Sequence, residues 1–349
     1  MESHLNTKFL AKKRVLITGI SGMVGSHLAD FLFKNTKAII FGMIRCRSPL
    51  ENLEYLIPEI NKNNKRINLV YGDLNDSISL DRVIKTIKPA YIFHLAAQSF
   101  PQISFYEPIS TLNTNILGTA RLLESIKKYA PNSVIHVCSS SEVFGKVPKE
   151  NIPIDENCSF HPASPYAISK VGTDLLAKFY YEAYGLKVFT TRMFTHTGPR
   201  RGDVFAESTF AKQIALIENK MIEPIINVGN LDSLRTIADV RDAVRAYIML
   251  VSKNNNAGQI YNIGGNYSCK IGDILKFLVS KSSMKKLIKI KIDKKRLRPI
   301  DADLQIPNTK KFQNHYNWKP DIEFEKTMSD LLEYWRDKIR NNKSIYLKR

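Results

Sequence analysis

The stretch VLITGISGMVGSHLADFL, Val15 to Leu32, joins an apolar run to a helical pattern through a glycine turn. Val15–Thr18 is short, β-branched and apolar, and reads as a buried strand. Gly19-x-x-Gly22-x-x-Gly25 follows at once, and an apolar-periodic segment follows that. Glycines at these places let the backbone turn tightly and approach a pyrophosphate, which then sits at a helix N-terminus. The expected cofactor contacts here are Gly19, Ser21, Gly22, Met23, Val24 and Gly25.

Working outward, strand-like runs recur at Ala38–Met43, Ile67–Tyr71, Tyr91–Leu95, Ser133–Cys138 and Lys187–Arg192. Helical patterns fall between them at Ser26–Phe33, Leu80–Ile87, Thr111–Lys128 and Tyr166–Tyr184. This alternation predicts an α/β fold, a Rossmann-type doubly wound parallel sheet with helices on both faces. Ligands of such sheets lie beyond the carboxyl ends of the strands. The glycine turn, Gly72-Asp73-Leu74, Leu95-Ala96-Ala97-Gln98 and Ser139–Glu142 all follow strand ends, so they are expected to converge on one crevice. The second strand ends without an acid for a ribose 2′-hydroxyl. It runs into Arg45, Arg47 and Ser48, whose guanidinium groups and hydroxyl suit a 2′-phosphate; NADP is expected over NAD.

After Arg192 the texture changes. The loop THTGPRRGD, a helix near Ser208–Asn219 and a strand near Ile225–Val228 point to a smaller α/β substrate-binding lobe. A helix at Val240–Ser252 and a strand at Gln259–Ile263 return to the main sheet, and a Met328–Arg340 helix ends the lobe. The expected division is residues 12–194 plus about 237–263 for the sheet domain, and 195–236 plus about 264–340 for the lobe.

The 349 residues carry 52 basic and 33 acidic side chains, a formal charge of +19, which favours anionic partners. The run Lys285–Arg298 alternates Ile288, Ile290 and Ile292 with Lys289 and Lys291 and reads as a half-buried strand with a basic face. No aromatic stacking platform accompanies it, so nucleic acid is not an expected partner. Cys46, Cys138, Cys158 and Cys269 have no metal-ligand spacing and form no disulfide framework; no metal and a reducing cytoplasm are expected. No stretch approaches membrane-spanning length, so no membrane partner is expected either.

Tyr166 and Lys170 lie in SPYAISK, with Ser139-Ser140-Ser141-Glu142 upstream. A phenol near an ammonium is acidified and can take a proton from a sugar hydroxyl. With the other segments this resembles an extended short-chain dehydrogenase/reductase. More narrowly it resembles the GDP-mannose 4,6-dehydratases and their relatives acting on GDP-manno-heptose. LAAQS (Leu95–Ser99) with SFYEP (Ser104–Pro108), Pro199-Arg200-Arg201-Gly202, GNLDSLR (Gly229–Arg235) and Arg298-Pro299-Ile300-Asp301 carry the narrower likeness.

The resemblance implies Tyr166 as base at the sugar O4, Lys170 lowering its pKa and holding the nicotinamide ribose, Ser140 bonding O4, and Glu142 as acid/base of the elimination. It implies Asp73, Leu74, Leu95, Ala96, Ala97 and His196 toward the cofactor. Gln98, Ser99, Ser104 and Thr195 are implied near the sugar, and Lys212, Arg235, Arg298 and Asp301 toward GDP. The implied reaction is redox-neutral: hydride leaves C4, water leaves C5–C6, and hydride returns to C6. Thr195 replaces the asparagine of the mannose enzymes, and Phe100-Pro101-Gln102 departs from their loop. Both departures favour a modified manno substrate, with the heptose relatives of surface-polysaccharide synthesis preferred. The resemblance also implies a homo-oligomer, dimer or tetramer. A GDP-4-keto-6-deoxy-sugar reductase, a 4-epimerase and a silent NADP-binding scaffold remain the alternatives.

Overall fold

The computed structural model describes residues 5–62, 66–297, 300 and 302–341. Arg298 and Asp301, both expected at the site, lie outside the described residues. The strands are β1 Arg14–Thr18, β2 Ile39–Ile44, β3 Ile67–Tyr71, β4 Tyr91–His94, β5 Val134–Cys138, β6 Lys187–Met193, β7 His196–Thr197, β8 Ile225–Val228, β9 Leu234–Asp239, β10 Ile260–Ile263, β11 Tyr267–Lys270, β12 Lys289–Ile292 and β13 Leu304–Gln305. Seven of them form a parallel sheet in the order β10-β6-β5-β4-β1-β2-β3.

Both faces of this sheet are covered, which explains why its strands read as unbroken apolar runs. Val15 and Ile17 of β1 join one buried cluster with Leu28, Leu32, Ala243 and Val244 from the helices Met23–Asn35 and Val240–Leu250. Leu16 points the other way, into a cluster with Leu80, Leu122 and Ala177 of the helices Ser77–Ile87, Gly118–Tyr129 and Pro165–Tyr184. Strand order reverses between β1 and β4, so the crevice opens at their carboxyl ends. The crossing is pinned there by Thr18: its Oγ1 accepts from the N–H groups of Leu95 and Ala96, both at 3.1 Å, and lies 2.9 Å from His94 Nδ1. Burial, with the nearby Lys170 charge, pulls His94 down to about 3, so the ring is neutral and receives the Thr18 proton.

Two features were not visible in the pattern. The helix expected from Thr111 starts at Pro108 and passes through a π-helical turn, Asn113–Leu117, before Gly118–Tyr129. Asn115 in that turn accepts from the Gln98 N–H at 2.8 Å and donates to Ser169 Oγ at 2.8 Å, tying the β4 loop to the helix that carries Tyr166. Arg192 on β6 grips Asp174 with Nε at 2.9 Å and Nη2 at 3.1 Å, both side chains buried, and donates to Glu156 O at 2.7 Å.

The smaller lobe packs the helices Ala206–Glu218, Ile271–Ser280 and Phe324–Asn341 around Ile214, Leu275, Met328 and Trp335. Its strands run β11-β9-β13, with β7 also on β9, and β8 pairs with β12. The expected half-buried strand is β12, but all four of its residues are exposed. Among the described residues it is an outer strand paired only with β8, whose Ile226 and Val228 already fill the core side. Lys289 and Lys291 keep that open edge solvated.

Candidate active site

One cleft of about 510 Å³ lies between the carboxyl edge of the large sheet and the lobe. Four segments build its chemical wall. The helix Pro165–Tyr184 begins at Ser164, whose hydroxyl accepts from Ala167 N at 3.0 Å, and Pro165 stands at its first position. One turn separates Tyr166 from Lys170, so both face inward, 8% and 6% exposed. At the end of β5, Ser140 caps a short 3-10 turn by accepting from Glu142 N at 3.2 Å, and it hydrogen-bonds the Tyr166 phenol. Ser140, Glu142, Tyr166 and Lys170 therefore share one wall.

Lys170 Nζ donates to Cys138 O at 2.7 Å and stands 6.0 Å from the centre of the Tyr166 ring. The expectation that this ammonium acidifies the phenol needs correction. Burial dominates and pushes Tyr166 well above the usual phenol range; the bond to Ser140 and the charge of Arg201 pull the other way. Burial also lowers Lys170 itself. His196 is drawn down to about 4 by burial and by Arg201, and its Nδ1 lies 3.1 Å from Phe194 O, so the neutral ring donates there.

The glycine turn forms another wall. Gly19 takes φ +72°, and a Cβ there would lie 2.9 Å from the Ala96 backbone. A Cβ on Gly25 would stand 2.2 Å from Gly19 O, so only glycine lets the helix start this close to β1. Gly19, Gly22, Met23, Val24 and Gly25 line the cleft with Leu95 and Ala97, a backbone cradle that fits a dinucleotide's pyrophosphate. Ser21 is held from behind, its carbonyl accepting from Asn52 Nδ2 at 2.9 Å. Arg45 and Arg47 are exposed on the turn after β2, where Arg45 N donates to Ser48 Oγ at 2.9 Å; that turn stands outside the cleft wall.

Other expected residues are occupied elsewhere. Asp73 Oδ1 accepts from Asn75 N at 2.9 Å, and Leu74 packs against Gly118. Ala96 is spent on the Gly19 contact. Gln98 bonds the Phe100 backbone and Thr111, whereas Ser99 lines the cleft. Ser104 is fully buried and accepts from Tyr166 N at 3.1 Å, so it anchors the helix instead of facing a ligand. Lys212 Nζ pairs with Asp203 at 2.7 Å, outside the wall. Thr195, His196 and Arg235 do line the cleft. Arg200, Arg201, Phe205, Glu207 and Arg296 line it without having been assigned there. The PRRG segment pointed to two of them; nothing in the local pattern marks Glu207 or Asn52. Among the described residues no group of three or more His, Cys, Asp or Glu side chains could hold a metal ion, and no helix is long and apolar enough to cross a membrane.

A doubly wound sheet with a glycine turn at β1 and a Tyr-x-x-x-Lys helix beside a strand-end serine defines an extended short-chain dehydrogenase/reductase. A family model described as GDP-mannose 4,6 dehydratase matches residues 16–331, and the chain belongs to that family. It is 31% identical to a Drosophila melanogaster GDP-mannose 4,6 dehydratase, over 95% of this chain and 88% of that one. It is 28% identical to a Pseudomonas aeruginosa GDP-6-deoxy-D-mannose reductase, over 94% and 99%. Among solved structures, RMD from Pseudomonas aeruginosa complexed with NADPH superposes with a TM-score of 0.77 at 26% identity, over 93% of this chain and 99% of that one.

Proposed function

We propose that the chain is an NADP-dependent GDP-sugar 4,6-dehydratase that converts GDP-manno-heptose or GDP-mannose to the GDP-4-keto-6-deoxy sugar. The observation that carries this reading is a carboxyl group, Glu142, on the same wall as Ser140, Tyr166 and Lys170. A plain oxidation or epimerisation at C4 needs no such acid; removal of water across C5–C6 does. The nicotinamide, when bound, supplies the acceptor and later the donor of hydride. Tyr166 acts in its phenolate form, which the Lys170 charge steadies, and becomes the phenol on taking the O4 proton while Ser140 holds the same oxygen. Glu142 removes the C5 proton and delivers a proton to the departing C6 hydroxyl. Support for NADP comes from Arg45 and Arg47 and from NADPH in the Pseudomonas aeruginosa neighbour.

A reductase is the second reading, favoured by the similarity to the Pseudomonas aeruginosa reductase. Incubating the full chain with NADP and each GDP-sugar separates the two. The dehydratase gives a product lighter by one water with no net change in NADPH absorbance. Steady consumption of NADPH with a 4-keto substrate, and no water loss from either GDP-sugar, would replace it with the reductase.

The assembly is proposed to be homo-oligomeric. Ile168, Leu175, Phe179 and Tyr184 on the Tyr166 helix, and Ile109 and Leu117 on the neighbouring helix, are each about half exposed or more. Large apolar side chains gathered on two adjacent helices are suited to burial against a second copy.

A further inference from the structure

We propose that β12 and the turn after it form a docking surface for an anionic lipid bilayer, on which the protein lies at headgroup depth. The segment is held in place by the lobe. Met284 and Ile288 pack against the lobe core. Lys289 N donates to Pro224 O and Asp293 N to Val228 O, each at 2.8 Å, so both ends of the strand are bonded. In the parallel register Ile290 sits beside Ile226 and Ile292 beside Val228. Those two β8 residues are fully buried, so the isoleucines of β12 continue an apolar row beyond the point where the core covers it.

What lies beyond that point is apolar and cationic together. Leu287, Ile290, Ile292, Leu297 and Ile300 are between 46% and 64% exposed. Lys285, Lys286, Lys289, Lys291, Lys294 and Lys295 are exposed among them, and among the described residues none of these ammonium groups has an acidic partner. Asp293 is the single acid between Lys285 and Leu297, and it is engaged by Arg296 at 3.5 Å and by the Lys295 N–H at 3.0 Å.

Scattered exposed apolar residues need no partner, but a contiguous group of them does. A bilayer surface offers phosphate oxygens directly above acyl carbon, so each isoleucine can enter while the flanking lysine stem reaches back to a phosphate. A second copy docked through the same patch would set these lysines against themselves under two-fold symmetry, and the net charge of +19 adds to that repulsion. Nucleic acid would find no aromatic side chain between Lys285 and Ile300 on which to stack a base. The expectation of no membrane partner considered spanning length alone, and a protein that lies on a bilayer needs none. The surface adjoins the cleft: Lys295 O accepts from Gln102 Nε2 at 2.8 Å, and Arg296 lines the cleft itself. Docking therefore has to be told apart from a lipid headgroup entering the cleft.

The experiment is sedimentation of the full chain with vesicles of phosphatidylcholine alone and of phosphatidylcholine with about one-third phosphatidylglycerol. Wild type is expected to bind the anionic vesicles at least about tenfold more tightly, and less so as salt rises. K289Q/K291Q removes two charges and should weaken that binding about 25-fold; I290T/I292T keeps the charges and the strand formers and should weaken it about tenfold. All four side chains are exposed, so both variants should unfold at the wild-type temperature. Equal binding to the two vesicles, no binding to either, or wild-type binding by either variant overturns the assignment. Loss of vesicle binding on adding GDP overturns it as well, because the headgroup is then held in the cleft. Polyglutamate bound as tightly as the anionic vesicles, with no effect of I290T/I292T, replaces the bilayer with an acidic protein. Wild-type self-association that I290T/I292T abolishes replaces it with a second copy.

Discussion

The two sides of the cleft are built by opposite means. The sheet side delivers Ser140, Glu142, Tyr166 and Lys170 from a strand end and the first turn of a helix, each anchored to backbone or to a neighbouring side chain. The lobe side delivers arginines from loops and edges, stacked on phenylalanine or paired with acids. Rigid elements suit groups that must meet a reacting atom at hydrogen-bond distance. Charged side chains on loops suit recognition, where a long arm and a multi-pronged donor matter more than a fixed point.

Substitutions on the sheet side should therefore strike turnover, and those on the rim should strike affinity. The largest effect is expected from Tyr166→Phe and Glu142→Gln, each lowering the rate of water loss by about 10³- to 10⁴-fold while GDP-sugar binding persists. Product mass followed over time, beside a binding isotherm, checks both, and near-normal product formation in either variant would dissolve the contrast. Next comes Asp174→Asn, which strands the buried Arg192 guanidinium. It should cost about 3–5 kcal/mol of stability in denaturant unfolding. A loss below about 1 kcal/mol would mean that the Tyr166 helix is not held by that pair. The smallest effect belongs to the exposed turn after β2. Arg45→Ala with Arg47→Ala should weaken NADP about tenfold and leave NAD unchanged, as measured by fluorescence titration; equal loss for both cofactors would remove the 2′-phosphate argument.

The sheet side was also the legible side. Alternate residues of β1 fill clusters on opposite faces, so a continuous apolar run with a glycine turn behind it reports a buried parallel strand directly. Gly19 and Gly25 are needed for local reasons, a positive φ and a close approach to the preceding turn, and local needs leave local traces. Lys212 shows the opposite case. A lysine on the right helix of the right lobe pairs with Asp203, nine positions earlier, because the intervening chain folds back onto the helix start. Spacing does not encode that direction. Lys170 lines the cleft, but its ammonium is held by the Cys138 carbonyl, a backbone group with no signature in residue identity. Arg192 and Asp174 lie eighteen positions apart and meet only because β6 returns beneath the helix. β12 misled for a related reason: alternation tells which residues share a face, not whether anything covers it.

The π-helical turn at Asn113–Leu117 limits how this chain can change in length. A helix that loses one residue there closes up to ordinary α geometry, because the wide turn holds one residue more than an α turn needs. The bonds that Asn115 makes to Gln98 and Ser169 from inside that turn would then be lost. Descendants of this chain are thus freer to drift in residue type along that segment than to gain or lose a single position in it.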